Sequence, residues 1–359
     1  MIFPGFSKTS RVWCVLTAFV CLGLTVDMAS AQSATGSQAT PKKTTTKKTI
    51  TRKSTTSRVS TTASATRRSR ARSRAATQAR LLREAQEPRF RLDESGALVP
   101  DVRAEAAIIY DSATGHVLWE SNSQNQRSIA SITKVMTAVV FLEDSPDLSD
   151  EIVVQPSDVR AASTTYLRAG YHVTKGDLLH LTLIASDNAA ARALARVSSL
   201  GSEAFISRMN SKAAELGLTN TSYADPSGLL SANVSSAYDM AKLITYVSND
   251  ERIASVMRTQ TYTVTAGRRV INIHSTNQLV MKGDVDVQAG KTGFISKAGY
   301  CLATLLRLPQ GGPEVAVVVL GAKSNAGRFW ETRHLLNWFA SKAEDLVGSP
   351  LQAATATAN

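Results

Sequence analysis

The hydrophobic period of this chain changes twice, and that change limits the folds open to it. Ala106-Ala107-Ile108-Ile109-Tyr110 is a short unbroken apolar run, Asp111-Ser112-Ala113-Thr114-Gly115 a turn, and His116-Val117-Leu118-Trp119-Glu120 a returning strand. From Ile132 the apolar residues fall at Ile132, Val135, Met136, Val139 and Val140, the spacing of an amphipathic helix with one buried face. Further helices are expected over 178–185, 189–197, 202–216 and 236–248, where Ser236 with Asp239 has the form of a capping box. The last third returns to strand-like spacing. A hairpin over 261–265 and 270–274 about Ala266-Gly267, a pair over 291–295 and 299–306, and a strand over 315–321 precede a closing helix over 325–346. Strands at both ends around a helical middle predict an α/β (α+β) architecture: one largely antiparallel sheet of about five strands, flanked by helices, with a mainly helical insertion.

The charge is unevenly spread over the 359 residues. Residues 32–80 hold thirteen Lys or Arg and no Asp or Glu, more than the net +12 of the whole chain, so the remainder is close to neutral. With almost no large apolar residue, this stretch cannot bury enough surface to offset its ordering entropy, and residues 32–100 are expected to be a disordered basic arm. A short helix over 78–85, stopped by Pro88, and order from about Val102 complete that expectation. The N-terminus has the form of a secretory signal: Lys8 and Arg11, an apolar run over 12–26, and the small-x-small site Ala29-Ser30-Ala31. This run of fifteen residues falls short of the roughly 20 that span a bilayer. The expected organisation is therefore a cleavable signal (1–31), the arm (32–100), a catalytic domain (101–346) and a disordered tail (347–359). Export to the bacterial periplasm would bring the arm against anionic envelope polymers. No nucleic acid is expected, because aromatics able to stack on bases are missing there. Cys301 is the one cysteine beyond the signal, and the five histidines have no metal-ligand spacing, so neither a disulfide, a metal nor another cofactor is predicted.

Three short motifs carry the chemistry. Ser131 and Lys134 lie on one face at the start of the 132–140 helix, near free backbone N–H groups and the positive end of the dipole. A buried lysine there could act as the base of the serine; the plain alternative is a serine at a helix start and a surface lysine. Of the fifteen lysines, Lys134 alone has a serine three residues before it. Ser186-Asp187-Asn188 stands where one helix gives way to the next, where it could equally serve as a cap. Lys291-Thr292-Gly293 opens a strand, with a bulge glycine as the plain reading.

In this order the motifs resemble those of the penicillin-recognising serine peptidases, shared with serine β-lactamases. Ile129-Ala130-Ser131-Ile132-Thr133-Lys134-Val135-Met136-Thr137 resembles the nucleophile helix of the low-molecular-mass D-alanyl-D-alanine peptidases. So do Asp225-Pro226-Ser227-Gly228-Leu229 with Asn233 and Ser235, the segment from His274 to Leu279, and Lys291-Thr292-Gly293 continuing to Ala298-Gly299-Tyr300-Cys301-Leu302. The resemblance covers about residues 102–342 and implies a penicillin-binding/β-lactamase-like fold. It implies that Ser131 forms an acyl-enzyme, that Lys134 is its general base and that Ser186 relays a proton to the leaving amine. Asn188 would bind the substrate amide, and Lys291, Thr292 and Arg328 its terminal carboxylate. The backbone N–H groups of Ser131 and Phe294 would meet the oxyanion, and Gly293 would leave room for substrate backbone along the strand edge.

That mechanism has physical requirements. Lys134 must fall by roughly three units from about 10.4 to be a base near pH 7, and burial with Lys291 as a second cation both push it that way. The absence of a His–Asp partner fits a Ser–Lys mechanism better than a Ser-His-Asp one. Asp225-Pro226-Ser227-Gly228-Leu229, where a fast lactamase needs a water-activating carboxylate, favours a peptidase. The Ile295-Ser296-Lys297-Ala298-Gly299 variant and the short stretch after the closing helix resemble the D-alanyl-D-alanine endopeptidases, which cut peptidoglycan cross-links. D-alanyl-D-alanine carboxypeptidase activity on pentapeptide stems is the alternative, followed by β-lactamase and an inactive wall-binding module. β-Lactams are the expected covalent inhibitors.

Overall fold

The computed structural model describes residues 59–348; the signal-type segment, the arm as far as residue 58 and the tail from 349 lie outside the described residues. Five strands build the main sheet: β1 (Ala106–Asp111), β2 (Val117–Ser121), β3 (Asp286–Ile295), β4 (Gly299–Arg307) and β5 (Glu314–Ala322). Their order is β3-β4-β5-β1-β2, with every neighbouring pair antiparallel. The first strand thus lies beside the last, with Ile108 opposite Val318 and Ile109 opposite Val317. Ala106, Ile108, Ala316, Val318 and Leu320 face one core, and Ala107, Ile109, Val315, Val317 and Val319 face another. Strands covered on both faces need apolar side chains at every position, which is why β1 and β5 read as unbroken runs. β3 is an edge strand.

Among the described residues the α-helices of eight residues or more are α1 (Val59–Gln86), α2 (Thr133–Leu142), α3 (Lys175–Leu183), α4 (Asn188–Val197), α5 (Gly201–Glu215), α6 (Ala237–Ser248), α7 (Glu251–Arg258) and α8 (Asn325–Gly348). α2 and α6 pack in the first core, with α6 lying across β1, β4 and β5; α8 covers the opposite face. Thr174 caps α3 in a reciprocal box with Asp177. The box expected at α6 is half formed. The Ser236 hydroxyl accepts from Asp239 N at 3.1 Å, but the Asp239 carboxylate turns away to Asn220 N and Thr221 Oγ1, both at 2.7 Å. α7, capped by Asp250, falls where no helix was expected.

The expected disordered arm is corrected over residues 59–100. α1 replaces the short helix expected at 78–85, and a hairpin (Phe90–Leu92 with Leu98–Pro100) follows it. Both dock on α8: His334 Nε2 lies 3.1 Å from the Ala85 carbonyl, and Trp338 Nε1 donates to the Leu98 carbonyl at 3.3 Å. The buried Glu331 accepts from the backbone N–H groups of Arg103 and Ala104 at 3.0 and 3.1 Å. Counting apolar residues within the segment overlooks the surface that α8 provides, and Ala and Arg are strong helix formers.

The two-sided burial of β1 sets its energetic weight. Ile108→Ala removes a side chain that is fully buried and is expected to destabilise the fold by about 3 kcal/mol, read from the midpoint of chemical denaturation.

Candidate active site

The site is built around a turn. Ser131 lies in a 3₁₀ turn, Ala130–Ile132, that runs into α2, rather than in the first α-helical turn as expected. Ala130 is held at φ +49°, a left-handed conformation uncommon outside glycine. Ile129 N donates to the Asn233 carbonyl at 3.1 Å. Two glycines let other backbones close on this turn. A Cβ on Gly228, itself at φ +78°, would fall against the Ala130 carbonyl and 2.9 Å from Ser131 N. A Cβ on Gly293 would lie 2.6 Å from the Ile129 carbonyl and 3.1 Å from Ser131 N. The space at Gly293, assigned in advance to substrate backbone, is thus occupied by the protein's own nucleophile turn.

Lys134 is the side chain this arrangement encloses. It is fully buried, and its Nζ lies 2.9 Å from Ser131 Oγ, 2.6 Å from Asn188 Oδ1 and 2.5 Å from the Ser227 carbonyl. The last two oxygens can only accept. They take the two hydrogens of a neutral amine, which leaves its lone pair towards the Ser131 hydroxyl. Burial lowers Lys134 from its ordinary value to about 7, with Arg192 adding a little and Asp225 and Asp187 opposing. Lys291 was expected to share in that lowering. Burial comes first at both lysines, and the repulsion between the two charges, which acts on both, takes Lys291 well below its ordinary value.

The loop from Asp225 to Asn233 fixes both the amine and the turn. The Asp225 carboxylate accepts from Ser227 N at 3.1 Å, Leu230 N at 3.2 Å, the Ser227 hydroxyl and the Asn233 amide. This closes the loop so that Ser227 presents its carbonyl to Lys134 and Pro226 presents its carbonyl to Thr137 Oγ1 at 2.6 Å.

The second and third motifs meet across the cleft. Ser186 stands between α3 and α4 at φ +58°, and its hydroxyl accepts from Lys291 Nζ at 2.8 Å. Asp187 caps α4 through Ala190 N at 2.9 Å. Asn188, expected to bind substrate, already spends its Oδ1 on Lys134 and one Nδ2 hydrogen on the Ala162 carbonyl at 2.7 Å, so one hydrogen is left. Thr292 Oγ1 lies 2.6 Å from Thr276 Oγ1. Phe294 is half exposed and stacks on Tyr300 at 4.3 Å between centroids. Arg328, 6% exposed, reaches from α8 to the Gly293 and Cys301 carbonyls at 3.0 and 3.1 Å, and burial lowers it to about 10. A cleft of about 540 Å³ is lined by Ser131, Ser186, Asn188, Thr292, Phe294 and Arg328, with Gly293 in its wall. Lys134 and Lys291 lie beneath it. Among the described residues no cluster of three His, Cys, Asp or Glu side chains could hold a metal ion.

Sequence reasoning missed the parts that act through backbone or through fit. The Ser227 carbonyl and the cleft-lining Ser163 and Thr164 carry no side-chain signature of their role. Gly228 could have been flagged, as a glycine inside a motif asks for a positive φ or a close approach.

A serine and a neutral lysine at the head of a helix, facing a lysine-bearing edge strand, define an active-site serine enzyme of the Ser–Lys class. A family model described as D-alanyl-D-alanine carboxypeptidase matches residues 93–324, and the chain belongs to this family of serine peptidases. It is similar to the D-alanyl-D-alanine endopeptidase of Haemophilus influenzae, 34% identical over 242 residues, which cover 67% of this chain and 83% of that one. The corresponding endopeptidase of Escherichia coli is 32% identical over 243 residues, 67% and 78% of the two chains. The crystal structure of a Streptomyces DD-transpeptidase superposes with a TM-score of 0.62 and 28% identity, covering 67% of this chain and 97% of that one. The expected fold holds.

Two outcomes follow from this geometry. The neutral form of Lys134 is the one able to take the Ser131 proton, so acylation by penicillin should rise with pH through about 7 and fall about tenfold per unit below it. Lys134→Arg, charged at every accessible pH, should abolish that profile. In Gly228→Ala the new methyl displaces the nucleophile turn, and a misplacement near 1 Å should slow acylation by about 10²-fold in a protein that still melts cooperatively.

Proposed function

We propose that this protein is a penicillin-sensitive D-alanyl-D-alanine endopeptidase that opens peptidoglycan cross-links through a Ser131 acyl-enzyme. The observation that carries the reading is the Ser131 Oγ–Lys134 Nζ pair at 2.9 Å, with both N–H acceptors of the neutral amine in place. Ser131 Oγ attacks the carbonyl carbon of the donor D-alanine while Lys134 takes its proton. Negative charge then develops on the carbonyl oxygen, met by the backbone N–H groups of Ser131 and Phe294, and donors of this kind contribute about 3–4 kcal/mol to the transition state. Collapse expels the amine of the second stem, which receives its proton through Ser186, a hydroxyl held by Lys291. An ester on Ser131 remains, and water attacks it with the proton returning through Lys134.

Lys291, Thr292 and Arg328 stand at the end of the cleft and bind the carboxylate beside the scissile amide. Asn188 offers its one remaining amide hydrogen to the substrate. The endopeptidase reading is supported by the likeness to two enzymes so named and by the Ile295-Ser296-Lys297-Ala298-Gly299 turn. Carboxypeptidase activity is the second reading, supported by the description of the family and by Arg328, which matches an arginine of the carboxypeptidase branch. Export to the periplasm, with the basic arm against anionic envelope polymers, fits both. No helix among the described residues is long and apolar enough to cross a membrane.

The activity is tested with cross-linked muropeptide dimers and pentapeptide monomers. Wild type is expected to cleave dimers, and Ser131→Ala to cleave neither and to take no fluorescent penicillin. Release of terminal D-alanine from monomers with dimers untouched would establish the carboxypeptidase reading instead.

A further inference from the structure

A second pocket, of about 470 Å³, opens where β3, β4 and β5 end and shares Phe294 and Ser296 with the catalytic cleft. Its chemistry is cationic. Arg127, Lys297 and Lys323 line it, against a single carboxylate, Glu105, which is ion-paired with Lys323. Arg127 is the unusual member. Its backbone is fixed opposite Ser235 in a short antiparallel pairing two residues before Ile129. Among the described residues its guanidinium makes no hydrogen bond and its Nε is buried without a partner, while the Glu105 carboxylate lies close enough to interact with its charge. A buried, unpaired guanidinium donor carries a desolvation penalty that a ligand anion relieves.

The pocket is also shaped for that guanidinium. Gly321, at φ +75°, leaves open the space a Cβ would fill 2.8 Å from Arg127 Cζ. Any side chain there would push the arginine out of the pocket. Phe294, stacked on Tyr300, lines both pocket and cleft, so the two adjoin across its ring.

We propose that this basic pocket is a second substrate subsite that holds a free carboxylate of the peptide stem being cleaved, with Arg127 as its forked partner and Lys297 as the second cation. The proposal rests on the peptidoglycan-stem reading given above. Arginine matches a carboxylate with two parallel N–H donors, whereas lysine offers a point charge. Two stem carboxylates have the required chemistry, that of the acidic residue at the second position and that of the diamino acid at the third.

The test compares, with the full chain, a free-acid dimer and dimers amidated singly at either carboxylate. Wild type is expected to show a KM about fivefold higher for one amidated dimer, the size of a partly exposed charge pair, and that dimer identifies the carboxylate bound. Lys297→Gln and Arg127→Lys should raise KM for the free-acid dimer by a similar factor, leave kcat unchanged and leave the matching amidated dimer within twofold of wild type. Equal effects on free-acid and amidated dimers, in variants with unaltered melting and penicillin acylation, would overturn the subsite. If wild type cleaves no dimer, the endopeptidase reading falls. Calorimetric titration of Ser131→Ala with the same three dimers then decides the subsite alone: a fivefold difference in Kd supports it, and equal Kd values overturn it.

Discussion

The closeness of three backbones at the Ala130-Ser131 turn is the constraint on which the site depends. Gly228 and Gly293 come from segments about 65 residues apart, and each abuts Ser131 N where a Cβ would not fit. Their approach sets where the serine hydroxyl stands relative to Lys134 and where the Ser131 and Phe294 N–H groups stand relative to each other. The arrangement is not relaxed. Ala130 and Ser186 both sit at positive φ, a conformation that costs on the order of 1 kcal/mol or more for each non-glycine residue. The surroundings over-determine them: Ile129 is tied to Asn233, Asn233 to Asp225, and Asp225 to the loop that carries Gly228. Strain so held is not released when substrate leaves.

Electrostatics follows from that packing. Lys134, Lys291 and Arg328 are all buried within one site, and burial lowers each of them. The downward shifts of the two amines make the enclosure tolerable, since an unpaired buried ammonium would carry a penalty of several kcal/mol. Asp187 and Asp225 oppose the lowering at Lys134 and keep it near 7 rather than far below. A carboxylate arriving beside Lys291 favours its charged form, and a charged Lys291 disfavours a second charge on Lys134. On the proposed mechanism, substrate binding would then push Lys134 towards the form that accepts a proton.

What could be read in advance follows the range over which each signal acts. The strands at 106–110 and 315–321 and the helices at 133–142 and 237–248 announce themselves through local period, because their burial is nearly complete. Ser131, Lys134, Ser186 and Lys291 were legible through spacing and resemblance, and the structure brings them together. The failures share a cause. α1 and the 90–100 hairpin are ordered against α8, a partner more than 200 residues away, and no window within them contains that surface. Gly293 and Asp239 were assigned to their nearest plausible partners, a substrate and a helix cap, whereas the structure gives Gly293 to Ile129 and Asp239 to Asn220 and Thr221. A side chain whose partner is distant in sequence is legible by type but not by use.

Lys291 joins the catalytic requirement to the architectural one. β3 is the edge of the sheet, and an open edge with free backbone groups invites pairing with another chain. The proposed reaction uses that open edge, to which an extended peptide can add as a further strand. Charge directed inwards is one way a fold deters unwanted pairing at such an edge, and Lys291, buried in β3 with its amine on Ser186, supplies it. A peptide that brings a carboxylate to Lys291 favours the charged form of the amine and is attracted by it. On the proposed reading, the edge would thereby distinguish an anionic peptide from an arbitrary strand before any bond is cut.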